Sequence, residues 1–253
     1  MSLELPNLDF SIPTSGASEQ RALFDHFAEY GYSGLQLKGG QYMRYLEDPE
    51  RFLADWKAST RLSLIFWGPL DDPGIARLRL ALQFAGAIGA KMVVFCHAHS
   101  RSGVTEADIA SFARTISDLG AESAKSGVKL SVHNHYDQPV MHREDIATFF
   151  DAATPGAVGL TVDTAHLVKS GVADIAGVLR EFRGVVDNIH LKDLAGGEFR
   201  SLGQGEIPFG PIFAAMKEID YRGMLCADEE SGASVVEGMA VASRFIRAHW
   251  DAV

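Results

Sequence analysis

The sequence predicts a single α/β domain, a closed (β/α)8 TIM barrel spanning residues 1–253. Three observations predict it. Short runs rich in β-branched or apolar residues alternate with longer amphipathic stretches, in eight strand-then-helix units. The length, 253 residues, matches the roughly 250 typical of one such barrel. No Pro/Ser/Gly-rich linker, charge block or low-complexity tract divides the chain. A doubly wound open sheet is the competing arrangement, but no G-x-G-x-x-G follows the first strand.

The units follow in order. LDFSI (8–12) leads to a helix over 18–30, with Ser18 as its expected cap and Gly31 at its end. SGLQL (33–37) precedes a helix over 48–59, and RLSLIFW (61–67) precedes one over 73–88 that Gly89 closes. KMVVFCH (91–97) leads to 105–125, where Thr105 and Asp108 form an acidic variant of the capping box and Gly127 follows the end. VKLSVH (128–133) pairs with a helix over 142–151, VGLTVD (158–163) with 172–182, VVDNIHLK (185–192) with 209–219 and GMLCAD (223–228) with 234–250.

Side chains alternate along a strand, so parity sorts each run into an outer and an inner face. Val128, Leu130 and Val132 suit the outer helices, which leaves Lys129, Ser131 and His133 facing inward, with His135 continuing the parity. The same rule turns Thr161 and Asp163 inward, then Asn188, His190 and Lys192, then Cys226, Asp228 and Glu230. One strand-terminal set results: His133, Asp163, His190 and Asp228. Chemistry in such barrels sits at the C-terminal strand ends. Two imidazoles and two carboxylates make a mixed N/O donor set for a divalent metal ion, Mn, Co, Mg, Zn or Fe(II), without the thiolates of a structural zinc site. The plain alternative is that each is a hydrogen-bonded polar residue near a loop.

These segments resemble the xylose isomerase-like barrel superfamily of sugar isomerases, epimerases and inosose dehydratases, over roughly residues 8–250 and most strongly from 128 onward. VGLTVDTAHLVKSG is similar to the family's strand-six motif, which implies a metal ligand at Asp163 and a substrate contact at His166. NIHLKD is similar to the strand-seven motif, implying metal at His190 and substrate at Lys192. LGQGEIPFGPIFAAMKEIDYRG resembles the loop and helix before strand eight, whose metal-binding Glu falls at Asp228 here. Two departures stand out. The strand-five position, usually Glu, is His133 in HNH, as in the inosose dehydratase branch, and the last ligand is shortened from Glu to Asp. A paired-glutamate acid/base mechanism therefore does not transfer intact. Whether His133 or His135 is the ligand, and whether Asp228 or Glu229 completes the site, stays open.

Other residues are candidates to touch substrate. His97 and His99 end strand four with inward parity; simple loop placement is the alternative. Trp67 ends strand three, where a flat ring suits the apolar face of a sugar. Gln36 ends strand two as a polar contact, and Arg200 lies in a glycine-flanked loop within reach of a hydroxyl or phosphate. Gly203 and Gly205 suit a tight turn. Asp228, Glu230 and an unligated His135 are the candidate bases.

The expected activity is metal-assisted proton transfer beside the carbonyl of a keto-sugar or keto-cyclitol, giving isomerisation or epimerisation. β-Elimination, as in an inosose dehydratase or keto-sugar lyase, is the alternative, and a non-catalytic sugar-binding barrel or partner subunit a further one. The net charge of −10 repels phosphodiester backbone and speaks against nucleic-acid partners, including a base-excision endonuclease or HNH nuclease reading. No apolar run is long enough for a membrane span, and MSLELPNLDFSIPT lacks a secretory pattern. Cys96 and Cys226 lie inside apolar runs as small buried residues of a reducing compartment. A cytoplasmic enzyme is expected, with a homo-oligomer left open.

Overall fold

A computed structural model describes residues 4–56 and 61–253. Eight parallel strands close into a barrel: β1 (Leu8–Ser11), β2 (Gly34–Leu37), β3 (Arg61–Gly68), β4 (Met92–His97), β5 (Lys129–His133), β6 (Gly159–Asp163), β7 (Val186–Leu191) and, after a two-stranded hairpin, β10 (Met224–Asp228). Each strand pairs with the next in sequence, β10 pairs with β7, and β1 closes the ring against β10. The hairpin is β8 (Asp193–Ala195) with β9 (Glu198–Arg200), antiparallel.

Helices α1 (Ala17–His26), α2 (Gly39–Tyr42), α3 (Pro49–Trp56), α4 (Asp72–Ala87), α5 (Glu106–Ala124), α6 (Arg143–Ala152), α7 (Thr164–Lys169), α8 (Ile175–Glu181), α9 (Phe209–Glu218) and α10 (Val235–Ala252) connect the strands. The expected helix over 48–59 corresponds to α3, and its last three positions, 57–59, lie outside the described residues, as do residues 1–3 of the N-terminal stretch. Thr105 accepts from the Asp108 amide while Asp108 accepts from the Thr105 amide, the expected capping box of α5. Ser18 is not a cap: α1 begins one residue earlier, Gly16 holds the cap position, and Glu19 instead accepts from the Ser15 amide. Gly31, Gly89 and Gly127 take φ of 79°, 74° and 72° at helix ends, where a side chain would be strained.

Parity divides the core in two. Leu64, Phe66, Val93, Phe95, Leu130, Val132, Leu160, Val162, Ile189, Leu191 and Leu225 face the helices and are buried in one continuous apolar layer. Inside the barrel, Ile65, Met92, Val94 and Cys96 form a smaller cluster with Met224. The rest of the interior is polar: Asp9, Ser11, Gln36, Ser63, Ser131, Thr161 and Asn188 are fully buried. Buried polar groups need partners: Gln36, Asn188, Thr161 and Ser131 are hydrogen-bonded to one another beneath the barrel mouth and Asp9 pairs with Arg61, while among the described residues Ser11 Oγ has no hydrogen-bond partner. Cys96 and Cys226 are buried free thiols, as expected.

Candidate metal centre and its cavity

The strand ends bring His133, Asp163 and His190 together. Asp163 and His190 are direct partners in the β6–β7 ladder, and His133 pairs with Thr161 one inward position below Asp163. Nε2 of His133 lies 3.4 Å from Asp163 Oδ2 and 3.2 Å from Nδ1 of His190, which is 3.8 Å from the same oxygen. All three residues are buried. Donors about 2.0–2.2 Å from one cation stand roughly 3–3.5 Å apart, so this spacing is that of a ligand set.

The surroundings prepare each donor. Asp163 Oδ1 caps α7 by accepting from the His166 amide (2.9 Å), which leaves Oδ2 turned to the imidazoles. Asn134 fixes the same strand end by accepting from the Asp163 amide (2.8 Å) and donating to its carbonyl (3.3 Å). Gln36 and Asn188 form a reciprocal amide pair: Gln36 Nε2 donates to Asn188 Oδ1 (3.0 Å) and Asn188 Nδ2 donates to Gln36 Oε1 (3.2 Å). That orientation leaves Gln36 Oε1 as an acceptor 3.0 Å from His190 Nε2. His190 therefore carries its proton on Nε2 and turns the lone pair of Nδ1 to the centre.

Burial pushes the His133 imidazolium down to about 3, so the ring is neutral and free to ligate, against the partly opposing pull of the Asp163 carboxylate 3.4 Å from its Nε2. Burial alone would raise the Asp163 carboxyl; the Lys192 ammonium and the nearby histidines outweigh it and hold it well below the usual range. Among the described residues, Asp163 Oδ2 and His133 Nδ1 are buried without a well-formed hydrogen bond. A buried anionic oxygen that faces two imidazoles and has no hydrogen bond of its own, with only the Lys192 ammonium 3.4 Å away, fits a divalent ion.

A family model of xylose isomerase-like TIM barrels matches residues 24–249. The chain belongs to this family. Among its relatives, an inosose dehydratase of Clostridium perfringens is 28% identical over 192 residues, covering 63% of this chain and 64% of that protein. One of Lacticaseibacillus casei is 27% identical over 180 residues, 58% of this chain and 60% of that one. The chain thus spans less than two thirds of the length of these relatives. Similar folds include a D-allulose 3-epimerase from Methylomonas sp. in complex with D-allulose (TM-score 0.77, 16% identity, 98% of this chain and 99% of that chain). A 3-keto-D-glucoside 4-epimerase from E. coli (TM-score 0.75, 12% identity, 96% and 100%) and the IolI protein with a bound zinc atom (TM-score 0.72, 16% identity, 97% and 98%) share the fold as well.

Within this family member, the fourth expected ligand does not join the triad as an equal. Cys226 is the ladder partner of His190, so Asp228 stands one inward position further along β10. Its Oδ2 is 3.5 Å from His190 Nδ1, but the same oxygen lies 2.7 Å from Lys192 Nζ and Oδ1 lies 2.6 Å from Lys38 Nζ. Glu230 is held by the same two ammoniums, at 2.7 Å from Lys38 and 2.9 Å from Lys192, and is 28% exposed. Burial opposes both charges, yet the lysines keep Asp228 well below and Glu230 below the usual carboxyl value. The carboxylates in turn raise both lysines against burial.

His133 and His190 of the triad open into a cavity of about 150 Å³ lined also by Lys38, Trp67, His135, His166, Lys192, Asp228 and Glu230. The His135 and His166 rings stack at 3.7 Å, and Trp67 meets His135 edge-on at 5.0 Å. Trp67 is 51% exposed, as a sugar platform at the rim would be. Burial lowers His135 and His166, keeping both neutral near pH 7. A larger groove, about 610 Å³, lies between α7 and the hairpin and contains none of the triad.

Four expected substrate contacts need correction: His97, His99, Gln36 and Arg200. His97 has outward parity, because Met92, Val94 and Cys96 face the interior; its ring packs 4.9 Å from Phe112 of α5. His97 and the exposed His99 line a separate depression beside Pro139. Gln36 is fully buried under His190 and reaches the site through that ring instead of touching a ligand. Arg200 is exposed and pairs with Glu198 on its own hairpin (3.0 Å). The choice left open between Asp228 and Glu229 falls to Asp228 as the cavity residue, as parity suggested: Glu229 turns away, its Oε1 accepting from the Ser231 amide and its Cγ beside Gly238. Gly203 and Gly205 do serve a turn, donating to Asp193 Oδ2 at 3.0 and 2.9 Å.

Lys38 and Phe199 were missed. Lys38 continues the inward parity of Gln36 by two residues, a signal open to the same rule. Phe199 sits 5.2 Å from His166, with Lys192 Nζ 4.8 Å from its ring. Its hairpin was signalled by Gly196 and Gly197 between DLA and EFR, both now at positive φ.

Proposed function

We propose that this chain is a metal-dependent enzyme that removes a proton beside the carbonyl of a keto-sugar or keto-cyclitol, with an isomerised or epimerised product. The observation carrying this reading is the His133–Asp163–His190 triad beside a cavity lined by neutral histidines and lysine-paired carboxylates. A bound ion would supply Lewis acidity toward the substrate carbonyl; two imidazoles and one carboxylate suit Zn, Co or Mn better than Mg.

The chain's own groups divide the remaining work. His135 Nδ1 donates to the Tyr136 carbonyl (2.7 Å), which leaves Nε2 as a lone pair that can accept a proton as general base. His166 Nδ1 accepts from the Tyr136 amide (3.4 Å), so its Nε2 carries a proton and can donate to a substrate hydroxyl. The Lys192 ammonium, buried beside Asp163, stabilises negative charge developing on the substrate. Trp67 supplies a flat apolar face for the ring.

A second reading, β-elimination of water, is favoured by the inosose dehydratase relatives. There the base takes the α-proton, the carbon–oxygen bond β to the carbonyl breaks, and Lys192 protonates the departing hydroxide. Proton NMR in deuterated water over a panel of ketoses and inososes, with added Zn or Mg, tests both. Deuterium beside the carbonyl in a product of unchanged composition supports isomerase chemistry, and loss of water supports elimination. No exchange with any member by metal-loaded protein contradicts both.

A further inference from the structure

Lys38 and Lys192 grip Asp228 from two sides. Each carboxylate oxygen has its own ammonium within 2.7 Å, closer than the 3.5 Å that separates Oδ2 from His190 Nδ1. The ladder places Asp228 one inward position beyond the residue paired with His190. An aspartate there is one methylene, about 1.5 Å, shorter than a glutamate, so its carboxylate has less reach back toward the triad. Turning it onto a cation would take the nearest anion from the buried Lys192 and the partly exposed Lys38, leaving Glu230 to both and Asp163 at 3.4 Å to Lys192, a costly change for the buried ammonium.

We propose that Lys38 and Lys192 hold Asp228 out of the coordination sphere, so that the cation is carried by His133, Asp163 and His190 alone. Lys38 is thereby a positioning residue: it fixes Asp228 on one side and Glu230 on the other, and both carboxylates line the cavity. The consequence is a centre with one protein ligand fewer than a four-residue set, leaving an additional coordination position for substrate oxygens. This inference rests on the reading that the triad binds a divalent ion.

The test is cobalt(II) titration of the purified chain, followed by calorimetry and by the visible absorption of the bound ion. Asp228→Asn is expected to bind one cobalt per chain, with Kd within about threefold of wild type and an unchanged spectrum. Asp163→Asn is expected to weaken binding by more than the roughly 10–100-fold typical of losing an outer partner. Asp228→Glu restores the longer arm and is expected to shift the spectrum, because the carboxylate now reaches the ion. Far-ultraviolet circular dichroism establishes that each variant folds. Weakening by Asp228→Asn to the level of Asp163→Asn, or a spectrum unmoved by Asp228→Glu, overturns the proposal. Failure of wild type itself to bind cobalt overturns the metal-dependent function, and this inference with it, before any variant is compared.

Discussion

Replacing Gln36 with Leu removes the one side chain that holds His190 in its ligating tautomer. Gln36 Oε1 accepts from His190 Nε2 at 3.0 Å and from Asn188 Nδ2 at 3.2 Å, while Gln36 Nε2 donates to Asn188 Oδ1 at 3.0 Å. In Gln36→Leu the His190 N–H and the Asn188 carbonyl lose their partners in a fully buried site; Asn188 Nδ2 keeps Thr161 Oγ1 at 3.3 Å. Two buried polar groups left unpaired cost about 2–6 kcal/mol together, read from urea unfolding without metal. The metal effect is separate. Without an acceptor at Nε2 the His190 proton can move to Nδ1, the atom that faces the triad, and zinc affinity should fall about 10–100-fold. Competition with a chromophoric chelator measures it on folded protein. Unchanged zinc affinity would refute the tautomer argument, and unchanged stability would refute the hydrogen-bond assignment.

Three further outcomes are expected. Arg101 grips Asp145 through Nε and Nη2 at 3.2 and 2.9 Å, and the Met141 and His142 amides add to it. Burial would raise the Asp145 carboxyl, but these partners outweigh it and hold it below the ordinary value. A depressed folded-state value stabilises above the unfolded value, about pH 3.9, and the benefit disappears as pH falls through the folded one. Asp145→Asn should therefore be less stable than wild type at about pH 7, the gap closing as pH falls below the unfolded value of about 3.9 in thermal unfolding; a constant gap contradicts the ion pair. Trp67→Ala should raise KM with little change in kcat, since the ring is a rim platform; a fall in kcat alone contradicts that role. His135→Ala should lower kcat about 10²–10⁴-fold while leaving zinc affinity unchanged; parallel loss of zinc would make His135 the ligand instead of a base.

The barrel was legible because its strands must alternate inner and outer faces. That rule correctly turned His133, Asp163, His190 and Asp228 inward from residues many positions apart. It failed at His97, where the register was read one residue off: Cys96, apolar and inward, looked like an outer residue beside Phe95. It stopped short at Lys38, which lies just beyond the end of β2 at Leu37. What parity cannot supply is height along the barrel. Asp228 has the right face but stands a level above His190, and only the ladder register shows that this places it among lysines. Nor does the pattern separate a residue that touches ligand from one beneath it, as the buried Gln36 demonstrates. Helix α7 went unseen because its six residues directly follow a strand, with Asp163 ending one element and capping the next.

The central claim is a cation held by His133, Asp163 and His190, and equilibrium dialysis of wild-type protein against zinc, with metal counted per chain, tests it most directly. One ion per chain, lost in His190→Ala, is the predicted result. Folded protein that takes up no stoichiometric ion, or a His190→Ala variant that still takes up one ion per chain, would contradict the account.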